Sequence, residues 1–299
     1  MQKALFIYNP VAGRKKLRPE LWEVIRVLSK KYFLTVMETQ RAGDGQRFIA
    51  HARNTDFDAV ICCGGDGTLN EVINGMLEND VSVPIGYIPC GSTNDFAKSL
   101  QIPTDTRTAA RNIMLGRTKS IDIGLCNDLR YFSYIASFGA FTEASYNTPQ
   151  NAKNLLGHTA YIFRGVKDFL ELKKSPVYRA EISTFEGDSI QGEYFFGAIC
   201  NSTSIGGTIR LPDASVDFGD GLFEVVFVRK PKSRKEWFSL LDDIVHKRIE
   251  KNPLVDMRKT SGVNIKMEDR INWTIDGEKM TADTTISVAN KKQAIKIFI

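Results

Sequence analysis

Only three of the 299 residues are histidine, three tryptophan and five cysteine. His51, His158 and His246 are scattered, and Cys62, Cys63, Cys90, Cys126 and Cys200 form no C-x-x-C pair, so no His/Cys zinc cluster is expected. Four of the cysteines sit in apolar, strand-like runs, which reads as reduced core thiols in a cytoplasmic protein. Long apolar runs are missing too. The longest stretch without a charge, Tyr194 to Ile209, is too short to span a bilayer and holds Asn201, Ser202, Thr203, Ser204 and three glycines. The first apolar run ends at Asn9-Pro10, too short for a signal peptide. No tract of low complexity interrupts a chain of 42% hydrophobic and 25% charged residues, which excludes disorder. A net charge of +5 is too mild for a dedicated nucleic-acid binder. Two basic clusters, Arg14, Lys15, Lys16 and Arg18, then Arg229, Lys230, Lys232, Arg234 and Lys235, read first as solvated surface.

What is present is rhythm. Over residues 1–125, the runs 3–9, 33–38, 58–63 and 84–89 are continuously apolar, as buried parallel strands are. Helices are predicted between them over Pro19–Lys31, Gly45–Asn54, Thr68–Asn79 and Asp95–Leu100, with a further one over Asp105–Leu115. That alternation predicts a Rossmann-like α/β/α layer. From about Ser120 strand-like runs follow one another, which predicts an antiparallel β-sandwich over about 126–290. The run YFSYIASF is taken as one strand, and TTISVA and AIKIFI as two. Helices interrupt this region over Thr159–Leu172 and from an N-cap at Ser233, with Glu236 three residues on, to Ile249. In the latter Trp237, Leu240, Leu241, Ile244 and Val245 form a stripe read as core.

Chemistry concentrates at the ends of the early strands. Gly64-Gly65-Asp66-Gly67-Thr68-Leu69-Asn70-Glu71 follows a strand and opens a helix, so free N–H groups at the helix start favour an anion such as phosphate. A tight turn that merely needs glycine is the plainer reading. Asp66 argues against it, because a carboxylate beside phosphate implies a bridging cation such as Mg2+ or a polarising role. Cys90-Gly91-Ser92-Thr93-Asn94-Asp95 repeats the pattern, Asn9-Pro10-Val11-Ala12-Gly13 supplies a third loop, and Thr39 a fourth. All four lie at carboxyl ends of predicted parallel strands, where open α/β sheets bind ligands. The Walker and dinucleotide glycine patterns, G-x-S-x-G and the protein-kinase signatures are absent.

Asn9-Pro10 with Gly13, the Gly64–Glu71 loop, Gly91-Ser92-Thr93-Asn94-Asp95-Phe96-Ala97 and the late Asp276-Gly277-Glu278 together resemble the diacylglycerol kinase catalytic-domain superfamily, in particular its soluble bacterial members. The likeness continues through Asp122, Gly124, Leu156-Gly157, Asn201, Gly206-Gly207 and Asp220-Gly221-Leu222, so it covers nearly the whole chain. The resemblance implies ATP in a cleft between two domains, with the last strand, about 291–299, returning to the first. It implies that Asn9, Pro10, Val11, Ala12, Gly13, Thr39, Gly65, Asp66, Gly67, Thr68, Leu69, Asn70, Glu71 and Ser92 contact ATP. Ser92 stands where the family usually has Thr, and the hydroxyl is kept. Asp220 and the carbonyl of Leu222, with Asp217, would hold a structural Mg2+ against the second domain, although the approach to Asp220 is two residues longer than usual. Glu278 matches the general base and, with Asp66, makes up the catalytic pair.

This agrees with what phosphoryl transfer demands, namely in-line positioning, cancelled charge and a carboxylate near the attacking hydroxyl. Lys15 or Arg14 would face the phosphates. From spacing alone Asp276-Gly277 is a two-residue hairpin turn with an exposed glutamate after it. The expected activity is ATP-dependent phosphorylation of diacylglycerol to phosphatidate. Alternatives are a kinase of another lipid alcohol, an NAD kinase, or a homologue that binds without catalysis. The expected partner is a lipid at the inner face of the membrane, met peripherally and reversibly through the second basic cluster and through Phe163, Phe169 and Leu170, and a homodimer is a further expectation.

Overall fold

A computed structural model describes residues 1–13, 18–140, 175–202, 204–205, 209–210 and 216–299. They fall into two units: Met1–Tyr134 with Val216–Leu222 and Ala289–Ile299, and Ile135–Ser215 with Phe223–Val288.

The first unit alternates as expected: β1 (Gln2–Tyr8), α1 (Arg18–Leu28), β2 (Tyr32–Glu38), α2 (Asp44–Ala52), β3 (Ala59–Gly64), α3 (Asp66–Glu78), β4 (Ile85–Pro89), α4 (Asp95–Ser99), α5 (Thr106–Leu115), β5 (Thr118–Cys126) and β6 (Arg130–Phe132). The parallel order is β2–β1–β3–β4, and beyond β4 the chain's last strand joins through Ile297 and Ile85. Strands β3 and β4 are buried along their whole length, which is why they read as unbroken apolar runs. Phe6, Ile61 and Ile88 pack under Val24 and Leu28 of α1 and Ala109 and Ile113 of α5. Each large side chain so buried contributes about 1.5–3 kcal/mol. Strand β2 departs from the expectation of burial, with Phe33 62% and Val36 42% exposed. It is the edge of the sheet, with a neighbour on one side only.

Asp122 on β5 is completely buried, and its carboxylate accepts from Gly221 N (2.6 Å), Gln293 N (2.7 Å) and Asn290 Nδ2 (3.3 Å). Asp122 N donates to Phe218 O (2.7 Å). These bonds draw Val216–Leu222 into the first unit, whereas the sequence reading placed that loop with the second domain.

The second unit holds β7 (Ile135–Gly139), β8 (Tyr178–Thr184), β9 (Ser189–Cys200), β10 (Ser204–Ile205), β11 (Ile209–Arg210), β12 (Phe223–Arg229), α6 (Arg234–Val245), β13 (Val255–Thr260), β14 (Gly262–Met267), β15 (Asn272–Ile275), β16 (Glu278–Thr281) and the start of β17 (Thr285–Phe298). Its order is β16–β15–β7–β9–β8–β14, with β12 between β9 and β13, and the registered pairs are antiparallel. YFSYIASF is split between β6 and β7, because Ile135 exchanges hydrogen bonds with Asp276 (3.0 and 2.9 Å) and starts a new ladder there. TTISVA and AIKIFI are instead one strand, β17, which runs on through polar Asn290-Lys291-Lys292.

Helix α6 starts at Ser233, whose Oγ accepts from Glu236 N (3.2 Å) while Glu236 Oε2 accepts from Lys232 N (2.7 Å). Its buried stripe is narrower than expected. Trp237 and Leu240 are buried, but Val245 is 74% exposed, because the helix packs through one turn of its face. The helix expected over 159–172 lies outside the described residues, among which no helix is long and apolar enough to cross a membrane.

Candidate active site

Three loops meet at the carboxyl ends of β1, β3 and β4, and the sequence makes the meeting possible through glycines. A Cβ on Gly13, at φ +72, would stand 2.3 Å from Cys90 O. A Cβ on Gly91 would stand 2.7 Å from Gly65 Cα. Backbone therefore touches backbone, an approach open only to residues without a side chain. The main chain ties the loops as well: Asn9 N donates to Cys63 O (2.9 Å) and Cys90 N to Gly64 O (2.7 Å). Asn9 Nδ2 donates to Thr68 Oγ1 (3.1 Å) and Asn9 Oδ1 accepts from Val11 N (3.0 Å). Pro10 and Ala12 lie in this turn, with Ala12 N donating to Asn9 O (3.3 Å). Thr39 N donates to Tyr8 O (2.9 Å), bringing the end of β2 beside the same edge.

Helix α3 opens at Gly65, which offers no side-chain cap to the amides that follow. A helix start left so presents N–H groups and the positive end of the dipole to an anion. Gly67 sits in that first turn, exposed, and a Cβ added there meets nothing within 4 Å. The fold itself does not require glycine at 67, which keeps the space over the helix start open.

Asp66 has partners within the protein. Its carboxylate accepts from Asp95 N (3.1 Å), Phe96 N (3.3 Å) and Thr93 Oγ1 (3.3 Å), so amides at the start of α4 already stabilise its charge. Asn94, at φ +49, closes its own loop, accepting from Gly91 N (2.8 Å) and donating to Gly91 O (3.0 Å). Ser92 and Thr93 are exposed at the tip.

Other residues of the expected nucleotide set have structural duties. Leu69 is wholly buried in the core. Asn70 and Asn74 reach across to Tyr131 of β6 (3.4 and 3.1 Å). Glu71 accepts from Gly43 N (2.8 Å) and Gly45 N (3.0 Å), capping the start of α2 from another element. The loop after Thr39 is held by Asp44, which accepts from Gln40 N (2.8 Å) and pairs with Arg47 (2.8 Å). Neither Asp44 nor Asp122 was singled out by sequence reasoning for these roles, since a carboxylate that clamps distant amides leaves no local pattern. Arg14 and Lys15, expected to face the phosphates, lie outside the described residues.

The loop expected to hold metal is built from two Asx-type turns. Asp217 Oδ1 accepts from Gly219 N (3.1 Å) and Asp220 Oδ1 from Leu222 N (2.8 Å). Two carboxylates and the Leu222 carbonyl make an all-oxygen donor set, which fits a hard cation. Among the described residues no three His, Cys, Asp or Glu side chains converge on a metal position. In the second unit, Asp276 (φ +46) and Gly277 (φ +87) form the two-residue turn between β15 and β16, and Glu278 follows, exposed, opposite Ile275. Asp276 is buried and anchored to Ile135, so the hairpin that carries Glu278 is fixed at its turn.

The cysteines are free thiols, four buried and Cys90 half-buried. Burial pushes the Cys62 and Cys200 thiols well up. Cys63 is raised by its hydrogen bond to Cys90 and then by burial, the two sulfurs lying 3.3 Å apart.

Comparison with known proteins gives a consistent result. Residues 3–126 match the diacylglycerol kinase catalytic domain, and residues 136–299 match the YegS C-terminal NAD kinase beta sandwich-like domain. A protein of Staphylococcus carnosus named diacylglycerol kinase is 33% identical over 99% of this chain and 95% of its own length. One from Staphylococcus aureus, of the same name, is 34% identical over 93% of this chain and 86% of its own. Two solved Bacillus anthracis structures share the fold, with TM-scores of 0.83 and 0.75 at 24% and 18% identity, each covering 99% of this chain and 96% of the other.

Proposed function

The chain belongs to the diacylglycerol kinase family of lipid kinases, and on that premise we propose that it transfers the γ-phosphate of ATP to the hydroxyl of diacylglycerol, giving phosphatidate. The observation that carries the reading is the α3 start: uncapped amides, an open space at Gly67, and glycine loops packed backbone to backbone around it. A row of fixed N–H donors cancels charge on phosphate oxygens without reorganising during reaction. Asn9, Gly65, Gly67, Thr68 and Ser92 are the residues assigned to the nucleotide. Leu69, Asn70 and Glu71 act from behind by holding α3 to its neighbours.

Phosphoryl transfer then needs a base for the acceptor hydroxyl. Glu278 is assigned that role, its carboxylate taking the hydroxyl proton as the oxygen attacks phosphorus and ADP departs. Its support is a rigid hairpin turn that presents an exposed carboxylate. Asp217, Asp220 and the Leu222 carbonyl are the residues that would hold Mg2+, and the bound ion would supply positive charge that fixes the loop.

The lipid is met at a membrane surface. Of the second basic cluster, Arg229 pairs with Asp256 (2.7 Å) and Lys230 donates to Ser175 O (2.7 Å), which leaves Lys232, Arg234 and Lys235 as exposed cations. Phe238, 68% exposed one turn further along α6, adds an apolar contact. At about 1 kcal/mol per basic residue near an anionic leaflet, three give about 3 kcal/mol, a useful part of the attraction that reversible attachment needs. Phe163, Phe169 and Leu170 lie outside the described residues.

The deciding experiment incubates labelled ATP and Mg2+ with micelles of diacylglycerol, other lipid alcohols, or NAD. Label in phosphatidate is the expected outcome. Transfer to NAD, or to none of these acceptors, would overturn the reading, and preference for another lipid hydroxyl would correct the substrate.

A further inference from the structure

Two of the free thiols lie directly beneath the phosphate loops and have no part in the proposed chemistry. Cys63 is the last residue but one of β3, directly before Gly64, and Cys90 follows β4, directly before Gly91. Their sulfurs are 3.3 Å apart. Cys63 is wholly buried, while Cys90 is half-buried and so within reach of a small oxidant. The main chain of both residues is joined to the loops. Cys63 O accepts from Asn9 N, Cys90 N donates to Gly64 O, and Cys90 O marks the wall that forbids a side chain at Gly13.

We propose that Cys63 and Cys90 form an oxidation site for hydroperoxides, closing to a disulfide that disables the loops above it. The Cys90 thiolate attacks one oxygen of hydrogen peroxide, forming a sulfenic acid and releasing hydroxide. Cys63 sulfur then attacks the Cys90 sulfur, the S–S bond forms, and the departing hydroxyl takes the Cys63 proton to leave as water. The peroxide is reduced and two thiols are oxidised, with no further reactant. Position favours this pairing over the alternatives: Cys62 points to the opposite face of β3, as neighbours along a strand do, and Cys126 and Cys200 lie in other strands.

Closure has a mechanical consequence. A disulfide needs its sulfurs about 2.05 Å apart, so the pair must draw together by about 1.2 Å. The loops have no slack to follow, since Gly13 already abuts Cys90 O and Gly65 abuts Gly91. Whatever part of that closure the two side chains do not absorb by rotation shifts the Gly64–Thr68 and Gly91–Asn94 backbones that follow them. A displacement near 1 Å in a positioning group lowers turnover on the order of a hundredfold.

This consequence, though not the chemistry, rests on the nucleotide reading of the loops, and the test separates the two. The full-length protein is treated with hydrogen peroxide, alkylated under denaturing conditions, and mapped without reductant, with fragmentation to distinguish Cys62 from Cys63. The expected product is a Cys63–Cys90 cross-link that dithiothreitol removes and that C90S and C90A do not form. Cys90 recovered as free thiol, or oxidised to sulfinic acid without Cys63, would overturn the site. Binding of a fluorescent ATP analogue and lipid-kinase turnover are then measured before oxidation, after it, and after reduction. Turnover should fall about a hundredfold and return with reductant, while C90S is unmoved by peroxide. A cross-link that leaves binding and turnover unchanged overturns the consequence. Protein that cross-links on oxidation but never binds the analogue when reduced overturns the nucleotide reading alone.

Discussion

Asp66 separates two physical accounts of the site. If its carboxylate faced phosphate alone, a metal-free protein would hold an uncompensated charge, and removing it would leave stability unchanged or raise it. In the structure the carboxylate accepts from Asp95 N, Phe96 N and Thr93 Oγ1 at 3.1–3.3 Å, capping α4 from the neighbouring loop. A hydrogen bond to an ionised group contributes about 1.5–3 kcal/mol and a cap about 1 kcal/mol. The three here are on the long side, so Asp66→Ala should cost about 2 kcal/mol. Asp66→Asn, which keeps one acceptor oxygen, should cost about half of that. The assay is urea unfolding followed by tryptophan fluorescence in EDTA without nucleotide, with hydrogen exchange at Asp95 and Phe96 as the local readout. Asp66→Ala as stable as wild type in EDTA, with those amides still protected, would refute the reasoning.

Glu278→Ala should lower lipid-kinase turnover by about 10²–10⁴-fold, while its exposed position keeps the unfolding midpoint close to wild type; near-normal turnover in the folded variant removes Glu278 from the mechanism. Gly13→Ala places a Cβ against Cys90 O at a left-handed backbone position, so ATP-analogue binding should be lost; unchanged binding by titration shows that the loop contact is dispensable. Glu186 is held down at about 2: the water its carboxylate loses would alone raise it, but hydrogen bonds from Thr260 Oγ1 and from Ser261 N (2.8 Å) and Oγ (2.7 Å) win. Because the folded value is depressed, its stabilisation is present above the usual glutamate range and is lost as pH falls from about 4.5 toward 2. Urea midpoints across that window should fall less steeply in Glu186→Gln than in wild type. Replacing Lys232, Arg234 and Lys235 with alanine should release the protein from anionic vesicles in co-sedimentation, as 0.5 M salt does for wild type; binding unaffected by either change rules out the electrostatic attachment.

Much of this was legible in the order of residues. Period and punctuation determine that β1, β3 and β4 are buried parallel strands, because such strands need apolar residues on both faces. Strand, glycine and helix in succession likewise predict an anion-binding start at α3, because that geometry is local. Ser233 and Glu236 predict the start of α6 for the same reason. Local pattern does not report what a polar side chain meets far along the chain. That the Asp66 carboxylate accepts from amides at the start of α4 could not be read from the loop around it. Nor could the bonds by which Glu71 takes the amides of Gly43 and Gly45. Asp122 needed partners at 221, 290 and 293 before its role as the clamp of the Val216–Leu222 loop was visible. Strand β2 reads as apolar whether central or at an edge, and only the sheet order decides. The sequence by itself therefore determined the buried strands of the first unit, the glycine turns and the residue types at the loops, because those depend on neighbours in the chain. Tertiary structure alone decided which carboxylates are satisfied by amides and which cysteines face each other, because charge and reactivity depend on neighbours in space.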